Sequence, residues 1–401
     1  MTFLISAPRV LTGSDDLAPG WVEVEGDRVA GVGPGRPPRP AEVTLADGVL
    51  APGLVDAQIN GGFGVDFADA DDEQWAQVAR ALPGTGVTSF VPTVITAPLP
   101  QLADALRRFA VLQPGLAARP GAARALGIHL EGPFLSPRRR GAHREHLFID
   151  PTPDAVDALL DAGAGGVLLY VTLAPERAGA LDAVARFVAA GVRVAVGHSD
   201  ATQQQVHAAA DVGATLVTHL YNAQRPLHHR DPGVAGAALV DDRLTCGLIA
   251  DGHHVHAAAV RIAFATKPGG IMLVSDAVAA LGMPVGSYLL GGQELIVLDG
   301  EPPRRADGTI AGAAGRLDDA LGIAVAAGVD LRTAVEAATR VPADALGFPE
   351  LGRIAPGCPA DLVWLAPEAP EAPEDGHRLR ARATWIDGVR SPDAADAANL
   401  R

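Results

Sequence analysis

The chain contains very little lysine, cysteine and aromatic residue, and each shortage excludes a class of protein. Lys267 is the only lysine, and the 32 basic residues are outnumbered by 47 acidic ones, which gives a formal charge of −15. A nucleic-acid surface needs clustered cations that neutralise phosphates. The charge balance therefore argues against a nucleic-acid partner, although a local arginine or histidine site for a small anion stays possible.

Long apolar runs and cysteine frameworks are also absent from the sequence. Cys246 and Cys358 lie far apart, which fits a reducing compartment. No apolar stretch reaches the ~18 residues of a membrane helix, and the first residues lack the features of a signal peptide. We expect a cytoplasmic protein without a membrane partner. Hydrophobic residues make up 48% and aromatic residues 4%, so the core should consist mainly of Ala, Val and Leu.

The two ends of the chain share a β-like pattern. Residues 1–52 alternate short apolar runs with turn residues, and Glu25-Gly26-Asp27-Arg28 is typical of a hairpin turn. Similar runs return within residues 353–401, so we predict one discontinuous β-sandwich domain made from both termini. Residues 367–377, rich in Pro, Ala and Glu, predict a mobile surface loop.

Residues 53–352 repeat a pattern of strand, loop and helix. Helices are predicted over 152–162, 175–190 and 202–212, where Ser, Thr or Asp caps occur. This alternation predicts an α/β fold, a (β/α)₈ barrel of the TIM type. The eight candidate strands cover residues 55–59, 87–91, 125–129, 167–172, 192–196, 215–217, 244–249 and 271–274.

Polar side chains follow these strands where each one ends, and barrel enzymes place their chemistry there. Glu131 ends an apolar run just before Gly132-Pro133, and alone it is as consistent with a loop-holding carboxylate as with a ligand. His198, His219 and Asp276 follow later strands. Two imidazoles and a carboxylate at one barrel mouth are the open three-ligand set of a hydrolytic metal centre.

This combination would perform amide hydrolysis. A divalent cation lowers the pKa of a bound water towards ~7, and Asp276 would take the water's proton and pass it to the leaving nitrogen. His143, on the loop after Glu131, would donate to the carbonyl oxygen, or it is only a solvated loop histidine. The run Arg138-Arg139-Arg140 either attracts an anion or is a solvated loop, and the loop is the simpler interpretation.

Several longer segments make the resemblance specific. They include His129-Leu130-Glu131-Gly132-Pro133, Gly197-His198-Ser199-Asp200 and Thr218-His219-Leu220-Tyr221-Asn222-Ala223. With Val274-Ser275-Asp276-Ala277 and further motifs, they spread over about 300 residues, and in this order they resemble the N-acetylglucosamine-6-phosphate deacetylases of the amidohydrolase superfamily. The resemblance implies hydrolysis of N-acetyl-D-glucosamine 6-phosphate to D-glucosamine 6-phosphate and acetate in amino-sugar catabolism.

The resemblance also implies a role for individual residues. Glu131, His198 and His219 would hold one divalent metal ion, zinc or iron, while Asp276 acts as general base and acid and His143 polarises the carbonyl. A homodimer is implied, in which Arg230 reaches the 6-phosphate across the interface. The residues implied to bind the substrate are Ala142, Asn222, Ala223, Arg230, His254, Ile310, Ala311 and Gly312.

One departure concerns the metal count. Many amidohydrolases carry His-x-His after the first strand and bind a second metal with it, whereas this chain has Gln58 and Asn60 there. Neutral amides are poor ligands for zinc or iron beside imidazole and carboxylate. We therefore expect a single metal ion per chain.

Two other functions remain open at this point. A related amidohydrolase would act on a cyclic amide or a different N-acyl sugar, and it would not need a phosphate site. A non-catalytic barrel scaffold is disfavoured, because such proteins usually lose metal ligands or the acid/base residue. Here the ligands Glu131, His198 and His219 and the acid/base residue Asp276 are all present.

Overall fold

The structure, a computed structural model, describes residues 2–367 and 379–392. Apart from Pro367, the predicted surface loop lies outside the described residues. No helix within the described ranges is both long and apolar enough to cross a membrane.

Seven short strands occupy the N-terminal segment. The predicted hairpin is confirmed, because β4 and β5 pair antiparallel from Glu25 opposite Arg28, with Gly26 at φ +64° in the turn. The strands are β1 (Thr2–Ala7), β2 (Val10–Leu11), β3 (Asp16–Leu17), β4 (Gly20–Glu25), β5 (Arg28–Pro34), β6 (Val43–Thr44) and β7 (Val49–Pro52).

The eight predicted barrel strands are all present and pair in parallel. Their ends come together because the backbone after the last strand bonds back to the first, with Asp276 N donating to Gln58 O at 2.9 Å. The barrel strands are β8 (Leu54–Ile59), β11 (Val87–Ile95), β13 (Ile128–Glu131), β14 (Leu168–Leu173), β15 (Arg193–Val196), β16 (Leu216–Val217), β17 (Thr245–Ile249) and β18 (Ile271–Val274). Between them lie the short β9 (Gly61–Gly62), β10 (Val65–Asp66) and β12 (Arg124–Ala125).

The third barrel strand begins three residues later than predicted. Gly127 has φ +156°, and a side chain there would meet the Leu169 Cβ at 2.9 Å. The chain therefore breaks between β12 and β13, and Glu131 becomes the last residue of β13 rather than a residue beyond it. This places the carboxylate on the rigid rim of the barrel.

Ten helices lie in the described part of the chain, and most cover the outside of the barrel. Thr152 and Thr202 cap α3 and α5 as predicted, but α4 begins at Ala180, because Gly179 has φ +80° and cannot be part of the helix. The helices are α1 (Asp72–Ala81), α2 (Leu99–Ala117), α3 (Pro153–Ala162), α4 (Ala180–Ala189), α5 (Gln203–Asp211), α6 (Gly233–Val240), α7 (Ala257–Thr266), α8 (Leu317–Ala326), α9 (Leu331–Ala337) and α10 (Arg340–Leu346).

Strands from the C-terminal segment complete a sheet begun by the N-terminal one. β21 (Leu362–Pro367) pairs with β7 and with β22 (Leu379–Ile386), which pairs with β23 (Val389–Arg390). This six-stranded sheet packs on the four-stranded sheet β5-β4-β1-β6, with Val22, Val24, Leu50, Leu362 and Trp385 in one apolar cluster. The predicted sandwich from both termini is confirmed, while its division from the barrel at residues 52/53 and 352/353 stays a prediction.

A hairpin that the sequence analysis did not predict follows the eighth strand. β19 (Gly286–Leu290) and β20 (Gln293–Val297) pair antiparallel through a Gly291-Gly292 turn. The Gly291 N–H donates to Asp66 at 2.6 Å, which ties the hairpin tip to the loop after the first barrel strand. The hairpin therefore covers one side of the barrel mouth.

Candidate active site

The barrel brings three predicted metal ligands together at the ends of its strands. Glu131 ends β13, while His198 and His219 each follow a strand by two residues. Glu131 Oε1 lies 3.0 Å from His198 Nε2 and 2.8 Å from His219 Nε2, and the two nitrogens are 3.2 Å apart. All three side chains are buried.

This arrangement of donor atoms suits a cation. His198 Nδ1 lies 2.9 Å from the Arg139 carbonyl oxygen, so Nδ1 carries the proton in the neutral ring and Nε2 presents a lone pair. That lone pair faces a carboxylate oxygen, which is also an acceptor. A cation between them would remove the repulsion, and the donor set fits a divalent metal ion.

The charge balance of the cluster points the same way. Burial alone would raise the pKa of Glu131, but His198 and His219, when protonated, donate hydrogen bonds to it and with their charges hold its pKa well below its usual range. Burial alone would lower the pKa of His219, yet the hydrogen bond and charge of Glu131 raise it to about 9. The site therefore attracts positive charge, either a proton or a metal ion.

His143 is a competing ligand in the same cluster. A donor atom of His143 lies within 4.8 Å of donor atoms of Glu131 and His198, so these three could also hold an ion. His143 Nε2 lies 4.0 Å from Glu131 Oε2. His219 Nε2 is closer to the carboxylate, at 2.8 Å from Glu131 Oε1. We therefore favour His219 as the third ligand.

Asp276 faces the cluster from the end of the last barrel strand. Its Oδ1 accepts from Asn60 Nδ2 at 2.8 Å and from Gln58 Nε2 at 3.1 Å. Burial and then the charge of Glu131 raise its pKa to about 6. The amides of Gln58 and Asn60 thus serve as donors to Asp276.

His143 is buried and held from behind by Thr96. Its Nδ1 lies 3.4 Å from the Thr96 backbone nitrogen and 2.9 Å from Thr96 Oγ1. Thr96 Oγ1 itself donates to the Glu131 carbonyl oxygen at 3.0 Å, so this one side chain joins His143 to the end of β13. Burial, followed by the charge of His198, lowers the pKa of His143 to about 3 and keeps the ring neutral. The interpretation as a solvated loop histidine is therefore wrong.

A cavity of about 330 Å³ opens above these groups. Gln58 lies behind Asp276, and Ala311 is buried between two lining residues, so neither lines the cavity. The predicted residues that do line it are Asn60, Glu131, Ala142, His143, His198, His219, Asn222, Ala223, His254, Asp276, Ile310 and Gly312. The sequence analysis missed Ile95, Gly141, Ile249, Leu290 and Thr309.

The two predicted phosphate ligands differ in position. His254 lines the cavity, and its Nδ1 lies 2.7 Å from Asp251 Oδ2, which fixes the ring. Arg230 is exposed and does not line the cavity of its own chain. Such a position is what the predicted contribution across a dimer interface requires, and that contribution stays a prediction.

The three consecutive arginines have different surroundings. Arg138 and Arg139 pair with Asp200 at 3.3 and 2.7 Å, so they behave as loop residues. The guanidinium group of Arg140 has its nearest carboxylate in Asp307, with 4.0 Å between Arg140 Nη2 and Asp307 Oδ2.

Comparison with known proteins identifies the family of the chain. The amidohydrolase family model matches residues 49–390. The chain is 39% identical to an N-acetylgalactosamine-6-phosphate deacetylase of Escherichia coli O157:H7, over 97% of this chain and 99% of that protein. It is 41% identical to a Bos taurus N-acetylglucosamine-6-phosphate deacetylase, over 85% of this chain and 82% of that protein.

Solved structures give the same result. The crystal structure of the N-acetyl-D-glucosamine-6-phosphate deacetylase of Mycobacterium smegmatis superposes with a TM-score of 0.88 at 40% identity, covering 97% of this chain and 100% of that one. The N-acetylglucosamine-6-phosphate deacetylase of Thermotoga maritima gives 0.84 at 28% identity, covering 97% and 99%. The chain therefore belongs to the amidohydrolase family, within the group that these sugar-phosphate deacetylases form, and it is a hydrolase.

Proposed function

We propose that this enzyme removes acetate from N-acetyl-D-glucosamine 6-phosphate and yields D-glucosamine 6-phosphate in amino-sugar catabolism in the cytoplasm. The observation that carries the proposal is the convergence of Glu131, His198, His219 and Asp276 in one buried cavity. The chain that builds this cavity is about 40% identical to deacetylases along most of its length.

Glu131, His198 and His219 would hold one divalent metal ion, zinc or ferrous iron. When bound, such an ion supplies Lewis-acid polarisation of a carbonyl and lowers the pKa of water. Gln58 and Asn60 direct their amide groups to Asp276 and contribute no histidine ligand, so we expect one ion per chain.

The proton transfers belong to Asp276 and His143. As water attacks the acetamido carbonyl, Asp276 accepts its proton and then gives it to the nitrogen when the C–N bond breaks. A pKa of about 6 suits both transfers near neutral pH. His143 lines the cavity and would polarise the carbonyl oxygen as negative charge develops there, while Thr96 holds its ring in place.

The substrate itself would be oriented by the cavity walls. Ala142, Asn222, Ala223, Ile310 and Gly312, which all line the cavity, would position the sugar. His254 would donate to the 6-phosphate, and a partner copy's Arg230 would add a planar fork of donors.

The test is acetate release measured with three sugars. We expect turnover of N-acetylglucosamine 6-phosphate, and a kcat/KM at least about 10³-fold lower for the unphosphorylated sugar, which leaves the proposed phosphate donors without an anion. N-acetylgalactosamine 6-phosphate is the second candidate, because the Escherichia coli relative that matches 97% of the chain carries that name. Equal turnover of phosphorylated and unphosphorylated sugars would contradict the proposal.

Complementation tests the contribution of Arg230 across the interface. Arg230→Ala and Asp276→Asn homodimers should each be nearly inactive. An equimolar mixture of the two variants should regain up to about a quarter of the wild-type activity. Half of its dimers are mixed, and each mixed dimer has one complete site of two. If Arg230 served its own chain, mixing would restore no activity.

The pH profile tests the state of Asp276. As a base it must be ionised, so kcat/KM should fall as the pH drops through about 6, or lower if a neighbouring cation depresses the pKa further. Metal content is measured at each pH. Metal loss that parallels the fall in activity would instead indicate that protons compete with the metal for its ligands.

A further inference from the structure

A second concave site lies beside the catalytic cavity and is strongly basic. This cationic cleft, about 590 Å³, is lined by Arg140, Arg144, Glu145, His146, Gln293 and Arg305. His143 lines both the cleft and the catalytic cavity. Three guanidinium groups against one carboxylate are conspicuous in a chain with a net charge of −15.

The arginines of the cleft are poorly neutralised. Arg140 and Arg305 lie 4.0 and 3.9 Å from Asp307, beyond hydrogen-bond distance, whereas the neighbouring Arg139 reaches Asp200 at 2.7 Å. Arg144 donates through Nη2 to the Gly291 carbonyl, while its Nε–H is buried without a hydrogen-bond partner. The positive charge of the three guanidinium groups therefore favours an anion in the cleft.

The cleft is also tied to the substrate cavity. Gln293 Nε2 and Arg305 Nη1 both donate to the Ala142 carbonyl oxygen, at 3.1 and 3.4 Å. Ala142 and His143 therefore form the boundary between the two spaces. Deacetylation would produce a small carboxylate beside His143, at the boundary between the cavity and the cleft.

We propose that the cationic cleft binds the released acetate, as a product site next to the catalytic cavity. This inference rests on the proposed function. Guanidinium groups bind carboxylates and phosphates with the same fork of donors, so inorganic phosphate is the competing anion. The position of the cleft beside the acyl end of the substrate favours the carboxylate.

The test is equilibrium binding of ¹³C-labelled acetate to the metal-loaded enzyme, followed by NMR titration without turnover. Arg140→Gln and Arg144→Gln should each raise the acetate dissociation constant about tenfold, which is the effect of losing one charged hydrogen-bond donor. Arg138→Gln is the matched control, because its side chain is 82% exposed and pairs with Asp200. It should bind acetate like the wild type.

Equal acetate affinity in all four proteins would overturn the proposal. Inorganic phosphate affinity that drops in the Arg140 and Arg144 variants, with acetate affinity unchanged, would overturn it as well, because the cleft would then be a phosphate site. Should Arg144→Gln fail to fold for want of its bond to Gly291, Arg140→Gln decides, since that side chain is 48% exposed. Binding is measured without catalysis, so absence of deacetylase activity would leave this result readable.

Discussion

Replacing Asp276 with asparagine is expected to lower kcat for acetate release by about 10²- to 10⁴-fold. Asparagine keeps the size of the side chain and its contacts with Asn60 and Gln58, but it cannot accept the proton of the attacking water. The measurement is single-turnover acetate release, with metal content determined on the same sample. Metal should stay bound, because Asp276 lies outside the proposed ligand set.

Asp56 offers a matched control for this substitution. It is a second buried carboxylate at the same end of the barrel, and burial raises its pKa to about 7. Its Oδ1 accepts from Ser275 N at 3.1 Å, a bond that an asparagine oxygen also accepts, and Asp56 does not line the cavity. Asp56→Asn should keep most of the activity. An Asp276→Asn enzyme within about tenfold of wild type would show that another group carries the proton.

Replacing Glu131 with glutamine is expected to empty the metal site. Glu131 Oε1 contacts both imidazole nitrogens and supplies the only negative charge among the three proposed ligands. Changes at groups that merely support ligands already cost 10- to 100-fold in metal affinity, so loss of a charged ligand should cost more than about 100-fold. Elemental analysis after dialysis should find almost no metal, and activity should be lost with it.

Glu176→Gln serves as the control for Glu131→Gln. Glu176 accepts hydrogen bonds from Ser199 Oγ at 2.7 Å and from the Asp200 backbone N–H, the two residues that follow His198 in the sequence. Glu176 itself does not line the cavity. This variant should retain its metal. Full metal occupancy in Glu131→Gln would contradict the proposed ligand set and favour another group, such as His143.

The barrel could be predicted because each buried strand is a short apolar run followed by a polar residue. The register of the third strand could not, since the break at Gly127 depends on the close approach of Leu169 from a neighbouring strand. The hairpin from 286 to 297 was missed because apolar residues lie on both of its faces. Leu290 and Leu295 are buried, but Leu289 and Ile296 are exposed, so the alternation typical of a half-buried strand is lost.

The site was predicted where residue types are chemically distinctive. Imidazoles and carboxylates after strand ends indicate a metal centre, whereas Thr96, Ile95 and Leu290 are ordinary residues that become important only through what they touch. Arg305 gave no signal either, because its role depends on folding beside Ala142.

The most direct test of the central claim is titration of the metal-free enzyme with zinc while acetate release from N-acetylglucosamine 6-phosphate is followed. A single site built from Glu131, His198 and His219 predicts activity that rises in proportion to added metal and stops rising at one equivalent per chain. Full activity without metal, or a rise that continues to two equivalents, would contradict it.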